Sequence, residues 1–373
     1  MQDRKRTKPL SLLKTLNSVQ KEAVEYTDGP SLILAGAGSG KTKVLTHKVA
    51  YLIDRHKVDP TKVLALTFTN KAAREMKDRI SQIIKGHANV LWCSTFHSSF
   101  ARILRKNADR LGFNSNYAIY DENDQLSLIK EIIKELKLEH ETFTAKSVRS
   151  MISHFKNKLM TPEDVNNNIS RPLEEYTAEV YPTYQARLRK NNAMDFDDLL
   201  LKPIELFQLY PDVLSFYQKR WDYILIDEYQ DTNYPQYLIL KMLSAKHRNI
   251  SVVGDDDQSI YRWRGAEIRN ILDFEKDFPD CKTFRLEQNY RSTGNILTIA
   301  NAIIQNNSMR MDKELWTKKD NGESVGLLVN STADEEALKI VSKIQEECQA
   351  HERNFSDFAI LYRTNAQSRA LED

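Results

Sequence analysis

Ser31-Leu32-Ile33-Leu34-Ala35-Gly36-Ala37-Gly38-Ser39-Gly40-Lys41-Thr42 is the stretch on which the reading of this chain turns. An apolar run enters a glycine-rich turn. A helical pattern follows, with Val44, Leu45, Val49, Leu52 and Ile53 on one face. Strand, glycine turn and helix in that order form the P-loop pattern. The glycines let backbone N–H groups close around phosphate oxygens, and the positive end of the new helix faces the same anion. In this pattern the lysine, Lys41, reaches the β- and γ-phosphates, and the hydroxyl of Thr42 ligands magnesium. The strict pattern has glycine where Ala35 stands, but a small residue there still allows the turn. A merely flexible glycine loop is the competing reading, and the flanking strand and helix weigh against it. The candidate phosphate cradle is therefore Ala35, Gly36, Ala37, Gly38, Ser39, Gly40, Lys41, Thr42 and Lys43.

At 373 residues two or three domains are expected, and 41% hydrophobic residues support real cores. A net charge of +2 announces no nucleic-acid partner by global field. Residues 1–9 carry Arg4, Lys5, Arg6 and Lys8 against Asp3 alone; a basic terminus of this kind is more often solvated than bound. Cys93, Cys281 and Cys348 are too few and too far apart for a disulfide framework or a zinc pattern. No stretch approaches the ~18 apolar residues of a membrane span, and the N-terminus lacks an apolar leader core. A soluble, cytoplasmic protein with no membrane partner is expected.

Apolar strand candidates recur at 31–35, 62–68, 90–94, 222–226, 250–254 and 282–286, with helical patterns between most of them, at 70–84, 95–111 and 234–244. This alternation argues for an α/β fold with a doubly wound parallel sheet. Residues 113–193 break it: they are helical, polar and without a buried strand, and read as an inserted helical subdomain. The sheet domain resumes near Asp195-Phe196-Asp197-Asp198-Leu199-Leu200. Three aspartates suggest metal ligands, but a helix start with Asp195 near the cap is the better reading. After 286 a further α/β unit begins, with helices at 293–306 and 333–350 and strands at 324–329 and 357–362. It holds too few strands for a closed core, and the chain reads as a fragment of a longer protein.

Trp221-Asp222-Tyr223-Ile224-Leu225-Ile226-Asp227-Glu228 reads as a buried strand ending in two acids. Asp227 then stands near Thr42 and holds magnesium, while Glu228 orients and deprotonates an attacking water. Gly254-Asp255-Asp256-Asp257-Gln258 follows another apolar strand. Gln258 is placed to report on a γ-phosphate, and the aspartate run reads as part loop cap, part magnesium environment.

Taken together these residues resemble the bacterial UvrD, Rep and PcrA DNA helicases of superfamily one. The resemblance rests on Leu16-Asn17-Ser18-Val19-Gln20, the P-loop, Leu66-Thr67-Phe68-Thr69-Asn70-Lys71-Ala72-Ala73, Ser94-Thr95-Phe96-His97 and Asp227-Glu228-Tyr229-Gln230-Asp231. It continues through Gly254 to Gln258, Tyr261-Arg262-Trp263-Arg264-Gly265-Ala266 and Gln288-Asn289-Tyr290-Arg291-Ser292. It implies a RecA-like ATP-binding domain at 1–112 and 194–285, the inserted subdomain at 113–193, and the beginning of a second RecA-like domain at 286–373. It further implies that Gln20 reads the adenine edge, Tyr290 stacks on the base, and Arg291 reaches the γ-phosphate from the second lobe. The cofactors implied are ATP and Mg2+. The partners implied are single-stranded DNA and single/double-strand junctions, at a nucleoid-associated location.

Single strands bind to aromatic platforms along basic grooves, because every base offers a π-face. Phe68 and the run Tyr261-Arg262-Trp263-Arg264 suit that need. Sequence alone leaves Trp263 open between core and ligand, and leaves His97 undecided. The resemblance places Phe68 and Trp263 against bases, Tyr261 and Arg264 beside them, and Asn70 and His97 near the backbone. Gln258 lies five residues before Trp263, so a loop shift on phosphate loss would move a base platform. The function expected is 3′→5′ translocation and unwinding by the parent protein. This chain is expected to bind nucleotide and single strands, with little ATPase and no processive unwinding. The competing readings are a nucleotide kinase, an ATP-independent DNA- or protein-binding module, and a translocase that strips proteins from DNA.

Overall fold

The structure is a computed structural model that describes residues 12–84, 90–138, 142–166 and 170–372. The basic run 1–9 lies outside the described residues. The strands, in chain order, are β1 (Ser31–Ala35), β2 (Val63–Thr67), β3 (Trp92–Thr95), β4 (Ala118–Tyr120), β5 (Ala193–Asp195), β6 (Tyr223–Ile226), β7 (Ile250–Gly254), β8 (Lys282–Leu286), β9 (Gln288–Asn289) and β10 (Trp316–Thr317). Six of them form one parallel sheet in the order β3-β2-β6-β7-β1-β8. Their near-continuous apolar sequences follow from burial on both faces. Leu32, Leu34, Leu64, Leu66, Ile224, Ile226 and Val252 point to one face, against Phe96, Phe100 and Ile103 of the helix Phe96–Lys106. Ile33, Ala35, Val63, Ala65, Leu225 and Val253 point to the other, against Val44, Leu45 and Val49 of the helix Lys41–Asp54 and Met76 and Ile80 of the helix Asn70–Ile84. The two-residue alternation of strand side chains assigns every second residue to a different core.

Residues 113–193 form the helices Glu122–Glu135, Ala145–Asn157, Pro162–Asn166 and Pro172–Lys190. They surround a core of their own that includes Ile129, Ile132, Val148, Ile152, Phe155 and Tyr181. The interval does contain a strand, contrary to the expectation from its composition: β4 pairs in parallel with β5, Ala118 opposite Ala193. Three residues are too few for a periodic signal.

The aspartates at 195–198 open a helix and bind a lysine. Asp195 Oδ1 accepts from the Asp198 N–H at 2.9 Å, at the start of the helix Asp198–Leu209. Lys156 Nζ, from the inserted helices, lies 2.7 Å from Asp195 and 2.9 Å from Asp198, and all three side chains are buried. The Tyr184 hydroxyl donates to Asp195 at 2.9 Å. Burial alone would lower the Lys156 pKa, but the two carboxylates outweigh it and hold it above the usual lysine range. Burial, with Asp195 adding, pushes Asp197 up to about 7.

Residues 287–320 belong to the same compact unit as the sheet, and residues 321–372 form a second unit. In that second unit the helix Ala333–His351 forms, capped by Thr332, whose hydroxyl accepts from the Glu335 N–H at 3.2 Å. The expected strands at 324–329 and 357–362 do not form. A helix satisfies its hydrogen bonds internally, whereas a strand needs a neighbour. Neither segment has one among the described residues, and Leu327 and Leu361 are 87% and 94% exposed.

Lys156→Met would leave two carboxylates buried without their cation. A loss of about 3–5 kcal/mol is expected, read as a lowered denaturation midpoint, with Lys156→Arg milder than Lys156→Met.

Candidate nucleotide site and nucleic-acid interface

All six strands of the sheet end on one edge, so the residues that follow β1, β2, β3, β6, β7 and β8 share that edge. Ligands of open parallel sheets bind there. Ala35 is the last residue of β1, paired with Leu286 and fully buried. The position lies in the ladder before the turn and needs a small side chain, which alanine supplies. Gly38 (φ +69°) and Gly40 (φ +92°) make the turn in the left-handed region. The turn's carbonyls are engaged: Ser39 Oγ, within the turn, donates to Gly36 O at 2.7 Å, and from outside it Asn289 Nδ2 donates to Ala37 O at 2.6 Å, the Tyr290 N–H to Gly38 O at 3.0 Å and Gln20 Nε2 to Ser39 O at 2.8 Å. The Gly36 and Ser39 N–H groups are themselves engaged, by Leu286 O and Gly36 O, and the remaining N–H groups of the turn are left to form the concave anion site.

The acids after β6 complete this corner. The Thr42 hydroxyl donates to Asp227 Oδ2 at 3.2 Å, and Lys41 Nζ lies 3.4 Å from Glu228 Oε2. Burial, then the neighbouring Glu228, pushes Asp227 up to about 6, and the same two causes push Asp231 up to about 7. A buried carboxylate held against its own charge beside a hydroxyl is a donor set that fits a hard divalent cation. Glu228 adopts φ +51°, in the left-handed region that side chains rarely enter. That turn points the residue after Asp227 back toward Lys41.

Four sequence-selected residues stand in surroundings that narrow their roles. Gln20 is buried, its Oε1 accepting from the Asn17 N–H at 3.1 Å while its Nε2 serves Ser39. One N–H and one lone pair remain for any base. Lys43 Nζ donates to Thr15 O at 2.6 Å, so its ammonium faces away from a phosphate. Arg291 is exposed, its Cβ 2.9 Å from where a Cβ on Gly38 would stand, and it forms no ion pair among the described residues. Tyr290 is 46% exposed, and its hydroxyl accepts from Asn17 Nδ2 at 2.8 Å. Its ring therefore stands beside the Gln20 helix (Ser18–Glu25) and the P-loop.

The aspartate run after β7 has a different occupant from the one expected. Asp255, Asp256 and Asp257 bring carboxylate oxygens within 4.8 Å of one another. The ammonium of Lys313 sits among them, 2.9 Å from Asp255 and 2.6 Å from Asp257, and bonded to Asp256. Arg310 adds a two-pronged contact to Asp257, 3.1 Å on each arm. Asp255 Oδ1 also accepts from the Asp257 N–H at 3.2 Å, so the loop-cap part of the expectation holds, while the magnesium part is corrected: protein cations occupy the run. Gln258 Nε2 donates to Asp255 Oδ2.

Beyond Gln258 the chain carries its aromatic loop. Phe68 and Tyr261 rings lie 5.1 Å apart and Tyr261 and Trp263 6.3 Å, with the Arg264 guanidinium 4.7 Å from the Trp263 ring. Trp263 is 67% exposed, which decides between the core and surface readings. Asn70 is exposed at the start of its helix. His97 packs against Phe196, ring centroids 5.5 Å apart and tilted by 52°. Phe196, half-exposed, belongs to the segment that reads from sequence as a helix start, a reading that gives its ring no contact role because the acids around it carry it. A cleft of about 310 Å³ joins the two regions, lined by Thr42, Asp227, Glu228 and Gln258 as well as Phe68 and Tyr261.

Fold and site together define a P-loop α/β protein with a RecA-like parallel sheet. The chain belongs to the UvrD/Rep helicase family: the UvrD/REP helicase N-terminal domain profile matches residues 16–279, and that of the UvrD-like helicase C-terminal domain matches 284–373. It is 50% identical over 366 residues to the ATP-dependent DNA helicase PcrA of Staphylococcus aureus (strain Mu50 / ATCC 700699), covering 97% of this chain and 50% of that protein. It is likewise 50% identical over 362 residues to the ATP-dependent DNA helicase PcrA of Bacillus subtilis (strain 168), covering 97% and 49%. The chain thus spans about half the length of the curated relatives it matches. No helix among the described residues is long and apolar enough to cross a membrane.

Burial pushes His97 down to about 4, so at pH 7 its ring is neutral. The unfolded chain takes up this proton near ~6.5. Between those values the unfolded state holds more protons, so the contribution is full above about 6.5 and lost as pH falls toward 4. Unfolding free energies of the wild type and His97→Gln should converge across that window by less than about 1.4 kcal/mol per pH unit, and run parallel above pH 7.

Proposed function

We propose that this chain is the nucleotide-binding half of an ATP-dependent DNA helicase that moves 3′→5′ on single strands. It binds ATP–Mg2+ at the P-loop and single-stranded DNA on the Phe68–Tyr261–Trp263 surface. The observation that carries this reading is the shared cleft, lined by Thr42, Asp227 and Gln258 together with Phe68 and Tyr261. Lys41 and the P-loop N–H groups take the phosphates, and Thr42 and Asp227 the metal. The metal would offset phosphate charge and orient the terminal phosphoryl group. Glu228 holds the attacking water and accepts its proton, Gln258 senses the terminal phosphate, and Arg291 approaches that phosphate from the far side. Tyr290 offers the adenine a stacking face, with Gln20 behind it. Phe68 and Trp263 stack on bases, flanked by Tyr261 and Arg264. Asn70 and the neutral His97 hydrogen-bond the strand's backbone. For the chain itself we propose slow hydrolysis and no processive unwinding; in the whole protein the same surfaces would engage single/double-strand junctions.

The test is ATP hydrolysis with and without oligo-dT. Stimulation by oligo-dT is expected, and Lys41→Ala should abolish it. A wild type that binds oligo-dT tightly but neither binds nor hydrolyses ATP would instead be a DNA-binding module.

Trp263→Ala should weaken oligo-dT binding by the roughly 1–3 kcal/mol of one stacked base, or about 5–150-fold. Nucleotide affinity without DNA should stay unchanged. Fluorescence anisotropy with labelled oligo-dT and with a fluorescent ATP analogue reads both quantities.

A further inference from the structure

The segment 310–315 reaches two parts of the nucleotide site at once, and nothing in the phosphate chemistry above requires it. Lys313 is 3% exposed at its side chain and faces three carboxylates, Asp255, Asp256 and Asp257. Arg310 grips Asp257, and the Met311 N–H donates to Asp256 Oδ2 at 2.6 Å. Two cations thus face three acids, which leaves the cluster one charge short of balance. In the same segment Leu315 packs on the P-loop, so closely that a Cβ on Gly36 would lie 2.2 Å from its Cδ2.

Asp255 is the shared element. One of its oxygens accepts from Gln258 Nε2 and the other lies 2.9 Å from Lys313. Its N–H donates to Gln230 Oε1 at 2.9 Å, and Gln230 Nε2 donates to Glu228 Oε2 at 2.9 Å, beside Lys41. A continuous run of ion pairs and hydrogen bonds therefore joins Lys41 to Lys313 through Glu228, Gln230 and Asp255. The Asp255 carboxylate cannot turn without losing either Gln258 or Lys313. In a buried network each partner is constrained by the others, because an unpaired member carries the full desolvation cost.

We propose that Lys313 is a positioning residue: by holding Asp255 it sets where the Gln258 amide points, and through it the 310–315 segment senses the terminal phosphate. The proposal rests on the nucleotide and single-strand reading above. A phosphate that draws Gln258 from Asp255 loosens the Lys313 contact, and loss of the phosphate restores it. Because Gln258 precedes the Tyr261–Trp263 loop, the same contact governs how strongly nucleotide and single strand influence each other.

The experiment measures the affinity of the chain for oligo-dT with and without a non-hydrolysable ATP analogue and Mg2+, and the affinity for the analogue alone. In the wild type the analogue should change the oligo-dT Kd by about 5-fold or more. Lys313→Met should reduce that factor to below about 2-fold while each separate affinity stays within about 3-fold, and Lys313→Arg should retain most of it. If Lys313 acts through Gln258, Gln258→Ala combined with Lys313→Met should lose no more coupling than Gln258→Ala alone. Should Lys313→Met fail to fold, Asp255→Asn takes its place: it keeps an acceptor for Gln258 but weakens the lysine contact, and should lose the coupling to the same extent. Unchanged coupling in the folded variant, or additive losses in the double variant, would overturn the proposal. A wild type that binds both ligands independently would also overturn it while leaving the functional reading intact. A wild type that binds neither ligand sinks the functional reading itself.

Discussion

The parallel direction of all six strands in the central sheet is the constraint from which the site follows. Each strand must return to the same starting edge through a helix, so each carboxyl end opens on the opposite edge. Residues 185 positions apart, Thr42 and Asp227, meet there because of the strands they follow. The backbone ladder does the gathering: Ala35 pairs with Leu286, Leu34 with Gly254 and Leu66 with Ile226. A register shift would carry the acids after β6 away from the hydroxyl they face, and would also turn two apolar cores inside out.

Charge is handled in the same way throughout the molecule. Lys41 faces Glu228, Lys156 faces Asp195 and Asp198, and Lys313 faces Asp255, Asp256 and Asp257. The last two lysines are buried and join segments distant in sequence: the inserted helices to the sheet domain in one case, the residues beyond β8 to the loop after β7 in the other. Such pairs add little net stability compared with apolar packing, yet breaking one is expensive. They therefore specify which segments belong together. Lys41 differs in being close to a cleft, where an incoming anion can replace its carboxylate partner.

Much of the sheet was legible in the chain because its strands are buried on both faces and bounded by glycine or acids. The expected 31–35, 250–254 and 282–286 match β1, β7 and β8. The P-loop and the Asp227–Glu228 pair were legible because glycine spacing and strand-end acids have few other uses in that order. Lys313 was not, since a lysine in a polar stretch carries no local sign of three distant carboxylates. The same blindness gave the aspartate run a magnesium role beside its loop-capping one. Gln20 was legible as a residue but not as a buried strut, because its partner Ser39 becomes a neighbour only once the P-loop is folded. The segments at 324–329 and 357–362 have strand-like composition but no pairing partner among the described residues, and pairing is decided by tertiary context.

Ala35 shows what the first place of the phosphate motif demands. It is a ladder residue, fully buried and opposite Leu286, whereas the torsional freedom that only glycine offers is needed three and five residues later. The motif is thus two requirements laid end to end, one of volume and one of chirality. Natural variation at position 35 should be bounded by the space between neighbouring strands, and variation at positions 38 and 40 by the handedness of L-amino acids.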